Sequence, residues 1–417
     1  MEKTLFGLYT LALAVVFVVI ASQTYIWHYP DVLSLVEKGD TSVLWGTDTV
    51  LPVSDQHVFF WSDARHPLFA QIEMLFRPLY YLITVSFYFL SGCRYSWLST
   101  LWGSYSLIQI ILGGLILIMV KRMVQYFLGK ELAIAVFFLL ASSFSWIVFV
   151  LIPEKLVLTT FTLVVYSYFY ITVVLRPYFP GVRGKSMKWT EHLLGIAAVG
   201  TTVLSGVVVL GAMFVRPYRS IREFFQINFS WAYLLVGFYI ATTTLVSPEA
   251  HTGIEICVSW WDVGRNTLQF LHFAESCIFF PSYEIFSEVI EVKETSIAAV
   301  PAGYLWTGGV ILALCCVGFA AYWRNRFVLV AFLWLLLGYG IMGICGWGGV
   351  LNEMSLYCPY YSWAVVPLAV GGLRKCLGNE YHQTTLLVLV CAGVALVMNL
   401  HTIYTVTQVF REICPWP

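Results

Sequence analysis

The sequence predicts an all-α polytopic membrane protein, and three observations lead to that fold class. Hydrophobic residues make up 59% of the 417 residues, whereas charged residues make up only 11%; a soluble domain carries about 25%. Several apolar runs are long enough to cross a bilayer as helices. The charged residues fall mostly between those runs. The whole chain, 1–417, is therefore interpreted as a single integral membrane domain.

The first half of the chain begins with an apolar run from Leu5 to about Trp27. No small-residue cleavage site follows it, so it is interpreted as a first span rather than a signal peptide. Residues 28–95 are predicted to form a first outer loop with juxtamembrane helices. Within that loop, Leu68–Leu90 has charges and a proline in its first half, a pattern that suits a helix lying at the interface. Further spans are predicted at Leu98–Val120, Leu132–Ile152 and Leu156–Val174.

His192–Val215 is either one long helix or a hairpin broken around residues 200–206. Basic residues precede it and follow it. Both basic clusters face the cytoplasm only if the segment enters and leaves on the same side, and this favours the hairpin.

The second half contains a predicted span at Trp231–Val246 and then a long acidic outer loop, 247–300, where Asp and Glu far outnumber Lys and Arg. Four more spans are predicted at the end of the chain. They are Leu305–Tyr322, Phe327–Cys345, about Pro359–Leu373, and Thr384–Tyr404. With the hairpin counted twice, the fold class has about 11 transmembrane segments.

Loop charge predicts the orientation. With the N-terminus inside, fifteen of the twenty-three Lys and Arg residues are cytoplasmic, and eighteen of the twenty-three Asp and Glu residues are outside. This is the positive-inside pattern. It predicts a multi-pass protein of the bacterial plasma membrane with a cytoplasmic N-terminus and an external C-terminus.

The outer face collects charged residues that have little reason to lie beside a bilayer unless water or a ligand requires them. The first outer loop holds Asp48, Asp55, Asp63, Arg65 and His66. Elsewhere on that face are Glu154 with Lys155, Asp262 with Arg265, and Glu353 with Tyr360 and Tyr361. Each of these also has a structural interpretation, as a helix cap, a solvated loop or an interfacial aromatic belt.

Cysteine spacing gives no C-x-x-C pattern that would suggest a metal site, and Cys315 and Cys316 are interpreted as packing residues within a span. Cys257 and Cys277 share the long loop, and whether they pair stays open. The sequence predicts no metal ligands, no nucleic-acid binding and no certain cofactor.

About the first 220 residues resemble the GT-C integral membrane glycosyltransferases. The residues that carry the resemblance are Gly-Thr-Asp-Thr at 46–49, His-Pro-Leu-Phe at 66–69, Phe-Leu-Gly-Lys at 127–130, Pro153-Glu154, and the Thr-rich turn at 200–206. They match most closely a bacterial subgroup with Gly-x-Asp-Thr followed by His-Pro-Leu-Phe. The second half matches only in its pattern of spans, and His-Pro-Leu replaces the commoner His-Pro-Pro.

The resemblance implies an inverting glycosyltransferase with a polyprenyl-phosphate-sugar donor and a glycan, lipid or protein acceptor on the outer face. It implies an aspartate of the first outer loop as the catalytic base, with Asp48 first, Asp55 second and Asp63 third in order. The other residues have expected roles by chemistry: Arg65, His66, Lys155 and Arg265 as ligands of the donor phosphate, and Glu154, Glu353, Tyr360 and Tyr361 as substrate-binding groups.

Three alternatives remain. A transporter or lipid-linked sugar flippase would show inverted repeats and mid-span charges, which the sequence does not display. A polymerase or ligase of lipid-linked glycans would favour a large basic external loop. A non-catalytic assembly subunit would share the fold without the activity. The sugar, the acceptor, the oligomeric state and the requirement for a divalent metal are left open.

Overall fold

The described part of the chain forms a bundle of helices with one small β-hairpin. The computed structural model describes residues 1–23, 72, 75–92, 97–151, 155–174, 185–201, 205–206, 208–209, 211, 220–226, 262–286, 291–347 and 354–413. Its first seven helices are α1 (Glu2–Gln23), α2 (Arg77–Leu90), α3 (Trp97–Leu128), α4 (Lys130–Ala141), α5 (Phe144–Val148), α6 (Lys155–Phe169) and α7 (Lys185–Thr201). The rest are α8 (Val263–Ser276), strands β1 (Tyr283–Phe286) and β2 (Glu291–Glu294), α9 (Ala302–Tyr322), α10 (Arg326–Gly338), α11 (Cys358–Cys376) and α12 (Tyr381–Ile413).

Six helices of the described part are long and apolar enough to cross a membrane. They are Glu2–Val19, Gly103–Leu128, Leu156–Val173, Ala302–Tyr322, Arg326–Ile344 and Tyr381–Gln408. The chain is therefore a multi-pass membrane protein. The predicted span at Trp231–Val246 lies outside the described residues, and the predicted total of about 11 segments stays a prediction.

The predicted span Leu132–Ile152 is wrong as a single helix, because α4 ends at Ala141 and the short helix α5 follows. Serines at the break compete for backbone hydrogen bonds, and the Ser143 hydroxyl donates to the Leu140 carbonyl at 2.7 Å. The Phe144 amide instead donates to the Ile278 carbonyl at 3.0 Å. The buried Asn399 amide of α12 donates to both the Ser142 and Ile278 carbonyls, at 2.8 and 3.0 Å. The break therefore holds α4, α12 and the segment after α8 together.

The helix α2 is short: its 14 residues extend about 21 Å and cannot cross the hydrocarbon core alone. The juxtamembrane position of the first outer loop stays a prediction. One face of α2 packs on α3, where the Tyr80 and Tyr105 rings stack 3.9 Å apart and the Thr84 hydroxyl bonds to Ser104 at 2.8 Å. The opposite face exposes apolar side chains, including Leu82, Phe89 and Leu90.

Gly206 lies close to Val199 of α7. A Cβ added at Gly206 would lie 3.8 Å from the Val199 methyl carbons. Residues seven apart in a straight helix are separated by about 10 Å along the axis. This contact is therefore incompatible with one straight α-helix through residues 199–206, and the hairpin stays a prediction.

Close helix approach at glycines positions the second half of the bundle. A Cβ at Gly318 would overlap the Leu368 carbonyl, and one at Gly372 would overlap the Leu314 carbonyl, so α9 and α11 are in backbone contact. A Cβ at Gly308 would overlap the Leu271 carbonyl of α8. Small residues at such crossings are typical of helix packing in membranes.

The bundle has two ends of different character. At the end called here the basic end, Glu2 pairs with Lys121 at 2.9 Å and with Arg122. The Tyr381 hydroxyl of α12 accepts from the Glu131 and Leu132 amides at the start of α4. The other end, called here the hairpin end, holds α8, the β1–β2 ribbon and the turn Met354–Tyr357. The ribbon is the exception to the predicted all-α fold class.

Candidate functional site

Most of the predicted site residues lie outside the described part of the chain. These are Asp48, Asp55, Asp63, Arg65, His66, Glu154 and Glu353. Lys155 is the first residue of α6, and its side chain is not described. The structure therefore leaves their predicted roles untested.

Asp262 and Arg265 lie together at the start of α8. The Asp262 carboxylate accepts a hydrogen bond from the Arg265 backbone amide at 3.0 Å, so Asp262 is the N-cap of the helix. Both side chains are exposed. The structural interpretation applies to Asp262, while Arg265 stays accessible to an anionic ligand.

Tyr360 and Tyr361 are buried in the core, not placed in an exposed aromatic belt. The Tyr361 ring stacks on Trp334 at 4.8 Å and meets Phe273 edge-on at 5.4 Å. The Tyr360 carbonyl accepts from the Trp334 indole at 2.6 Å. These contacts fix the first turn of α11 against α10 and α8.

A buried polar cluster at the hairpin end was not identified from the sequence. It consists of His272 and Glu275 on α8 and Glu294 on β2, whose exposed fractions are 1%, 3% and 8%. His272 Nδ1 lies 2.8 Å from Glu294 Oε1, and His272 Nε2 accepts from the Ser282 amide at 3.1 Å. Since Nε2 accepts a hydrogen bond, the proton of a neutral imidazole lies on Nδ1 and is donated to Glu294.

Glu294 connects three segments. Its second oxygen, Oε2, accepts from the Ser355 amide in the turn before α11 at 3.1 Å. The carboxylate therefore joins β2, α8 and the Met354–Tyr357 turn.

Glu275 belongs to the same cluster, but the surroundings of its carboxyl group differ from those of Glu294. Burial, followed by the negative charge of Glu294, raises the pKa of the Glu275 carboxyl well above its usual range, and a hydrogen bond with Ser276 opposes the shift. Glu275 Oε2 is buried and has no hydrogen-bond partner among the described residues. The raised pKa favours the protonated carboxylic acid, which can donate a hydrogen bond, whereas an ionised carboxylate can only accept.

The pattern that identifies this cluster is present in the sequence. Asn266, Gln269, His272 and Glu275 recur at every third position of a segment that is otherwise largely apolar. Such spacing places polar groups along one side of a helix. The segment was interpreted only as part of an acidic loop, so the helix and its buried polar side were missed.

Within the described part of the chain, no group of three His, Cys, Asp or Glu side chains is arranged to hold a metal ion. His272 uses both ring nitrogens in bonds to protein atoms. The described contacts of this cluster are hydrogen bonds within the protein, and the raised pKa of Glu275 favours its protonated form.

Comparison with known proteins gives weak likenesses. No family model matches the chain, and no curated protein matches its sequence. The chain is similar to a crystal structure of ArnT from Cupriavidus metallidurans bound to undecaprenyl phosphate, with 12% identity, a TM-score of 0.49, and coverage of 98% of this chain and 77% of that one. The apo structure of the same protein gives 14% identity, a TM-score of 0.35, and coverage of 90% and 78%. Likenesses at this level establish neither a shared fold nor a shared activity.

Proposed function

We propose that the chain is a GT-C-type glycosyltransferase that moves a sugar from a polyprenyl-phosphate donor to an acceptor outside the membrane. The observation that carries the proposal is the order of motifs in the first 220 residues, where Gly-x-Asp-Thr and His-Pro-Leu-Phe lie between a first span and a short amphipathic helix. The described helices α1 and α2 support this layout, because α1 is long enough to span and α2 is not.

The separation of charge in the bundle supports the proposed orientation. Predicted cytoplasmic cations, among them Lys121, Arg122 and Arg374, belong to the basic end, where Arg374 donates to the Leu128 carbonyl at 3.4 Å. The helix α12 starts at that end and extends about 50 Å over 33 residues. Met1 and Ile413 therefore lie at opposite ends, as a cytoplasmic N-terminus and an external C-terminus require.

The proposed reaction is a single displacement. The Asp48 carboxylate takes the proton of the acceptor hydroxyl while that oxygen attacks the anomeric carbon of the donor. The bond between that carbon and the phosphate oxygen breaks, so configuration inverts and polyprenyl phosphate leaves. Cations stabilise the charge that develops on the phosphate.

The remaining residues take roles that fit this chemistry. Arg65, His66, Lys155 and Arg265 are proposed phosphate ligands, and Glu154 and Glu353 are proposed to contact the sugar or the acceptor. Asp55 and Asp63 are the alternative bases. Tyr360 and Tyr361 are buried, so we assign them to positioning α11 and the Glu353 segment before it, not to direct contact with substrate.

The experiment is sugar transfer in proteoliposomes with a panel of labelled polyprenyl-phosphate donors, comparing the wild type with Asp48→Asn. Loss of a general base is expected to lower the rate by about 10²–10⁴-fold. Asp40→Asn, in the same loop but outside the proposed site, is the matched control and should keep wild-type activity. Full activity in Asp48→Asn would remove Asp48 from the mechanism. Movement of the donor between leaflets without transfer would favour the flippase alternative.

A further inference from the structure

Two buried cysteines meet beside the polar cluster. Cys277 follows the last residue of α8, and Cys358 is the first residue of α11. Both are free thiols with 0% of their surface exposed. The chain between them contains the β-hairpin, α9 and α10, so a bond between the two sulfurs would close all of these elements into one loop.

The two residues share a single backbone acceptor. The Cys277 amide donates to the Phe273 carbonyl at 3.1 Å, and the Cys358 sulfur lies 3.7 Å from that same oxygen. Both residues therefore approach the same carbonyl of the last turn of α8. A disulfide between them requires their Cα atoms to lie about 4.4–6.8 Å apart.

We propose that Cys277 and Cys358 form a disulfide that ties the C-terminus of α8 to the N-terminus of α11. The oxidant is a second disulfide, from a protein or a small molecule. One cysteine thiolate attacks a sulfur of the oxidant and forms a mixed disulfide. The other thiolate then attacks the mixed disulfide, so the oxidant leaves as two thiols that take up the two protons.

Two other cysteines compete as partners of Cys277. Cys257 shares the long loop in sequence, and its position lies outside the described residues. Cys315 of α9 is also buried, but its sulfur lies 3.3 Å from the Val365 carbonyl, whereas the Cys358 sulfur contacts the Phe273 carbonyl in the helix turn that ends at Cys277. The geometry therefore favours Cys358 over Cys315.

The test is mass spectrometry of protein taken from cells, quenched in acid, alkylated while denatured and digested without reductant. We expect a linked peptide containing Cys277 and Cys358, lighter by two hydrogen atoms than its two free parts and lost on reduction. Cys358→Ser should abolish it and leave Cys277 open to alkylation. Cys391→Ser, on the exposed side of α12, is the control and should leave the link intact.

A second measurement removes the dependence on cellular compartment: purified reduced protein is incubated in detergent with glutathione disulfide. A Cys277–Cys358 link that forms here but not in cells supports the pairing and argues against an external hairpin end. A link from Cys277 to Cys257 or Cys315 would overturn the proposal. So would complete alkylation of Cys277 and Cys358 in both experiments.

Discussion

At the basic end of the bundle one carboxylate lies between two cations, whereas at the hairpin end two carboxyl groups lie near each other and one of them, Glu294, bonds to a histidine. Glu2 bonds to Lys121, whose side chain is 2% exposed, and to Arg122, which is 48% exposed. Opposite charges there balance locally. In the His272 cluster no described cation contacts Glu294, and its charge is held by N–H donors from His272 and Ser355.

The difference shows two ways of keeping charge inside a membrane protein. In an ion pair each partner neutralises the charge of the other. A change in the protonation of the groups at the basic end would therefore break the pair. At the hairpin end Glu294 is held by hydrogen bonds alone, and burial, followed by the negative charge of Glu294, raises the pKa of its neighbour Glu275. The hairpin end is therefore the end whose state depends on pH.

Removing the Glu294 carboxylate, which joins three segments of the hairpin end, should have the largest effect on stability. Glu294→Ala leaves the His272 Nδ1–H and the Ser355 amide buried without their acceptor, and we expect a loss of about 3 kcal/mol in the free energy of unfolding. Thermal unfolding in detergent, followed by size-exclusion chromatography, measures the change. Glu284→Gln, an exposed position on β1 of the same ribbon, should change stability little. Equal stability of both variants would show that Glu294 does not hold the hairpin end together.

Backbone contact between α8 and α9 should give the second largest effect. A Cβ at Gly308 meets the backbone of Leu271, which cannot rotate away, so Gly308→Ala should cost about 2 kcal/mol by forcing the helices apart. At the neighbouring Gly309 a Cβ meets nothing within 4 Å. Gly309→Ala should therefore be neutral or stabilising by about 0.5 kcal/mol. If the two variants melt together, the close approach of α8 to α9 is not what positions the polar cluster.

Breaking the ion pair at the basic end tests the other half of the comparison. Glu2→Gln removes the charge that Lys121 faces in the interior, and we expect a cost of about 1–2 kcal/mol. Arg122→Ala removes only a partner that is half exposed and should cost less than about 1 kcal/mol. Thermal melts at low and high salt measure both variants, with the Arg122 effect screened more strongly. A larger loss in Arg122→Ala would mean that the exposed pair dominates.

The sequence predicted the helical membrane class, because this class follows from local composition and from the length of the apolar runs. It did not predict the break of the span at Ser142–Ser143, since the bonds that replace the helix come from Ile278 and Asn399, far away in the chain. For the same reason it placed Tyr361 at the membrane surface: nothing local indicates that Trp334 covers its ring. Of the site residues, those in the first outer loop were predicted from the order of motifs alone. The His272 cluster was not predicted, because it forms only when the β-hairpin brings Glu294 back to α8.

The titration of Glu275 should give the smallest effect and the sharpest distinction between the two ends. Because the pKa of Glu275 is higher in the folded state than in the unfolded chain, its contribution is fully present below the unfolded pKa, near 4.5, and is lost as pH rises toward the folded pKa. In that window the wild type should lose up to about 1.4 kcal/mol per pH unit relative to Glu275→Gln, which carries no titrating proton.

Melting curves of both proteins from pH 5 to pH 9 test this, with Glu284→Gln as the control for a glutamate that is exposed on the same ribbon. The wild-type and Glu275→Gln curves should converge at the acidic limit and separate steadily as pH rises, whereas Glu284→Gln should follow the wild type throughout. Parallel curves for the wild type and Glu275→Gln would mean that Glu275 ionises normally. In that case the negative charge of Glu294 would have to be compensated by a cation outside the described residues, and the two ends of the bundle would stabilise their charges in the same way.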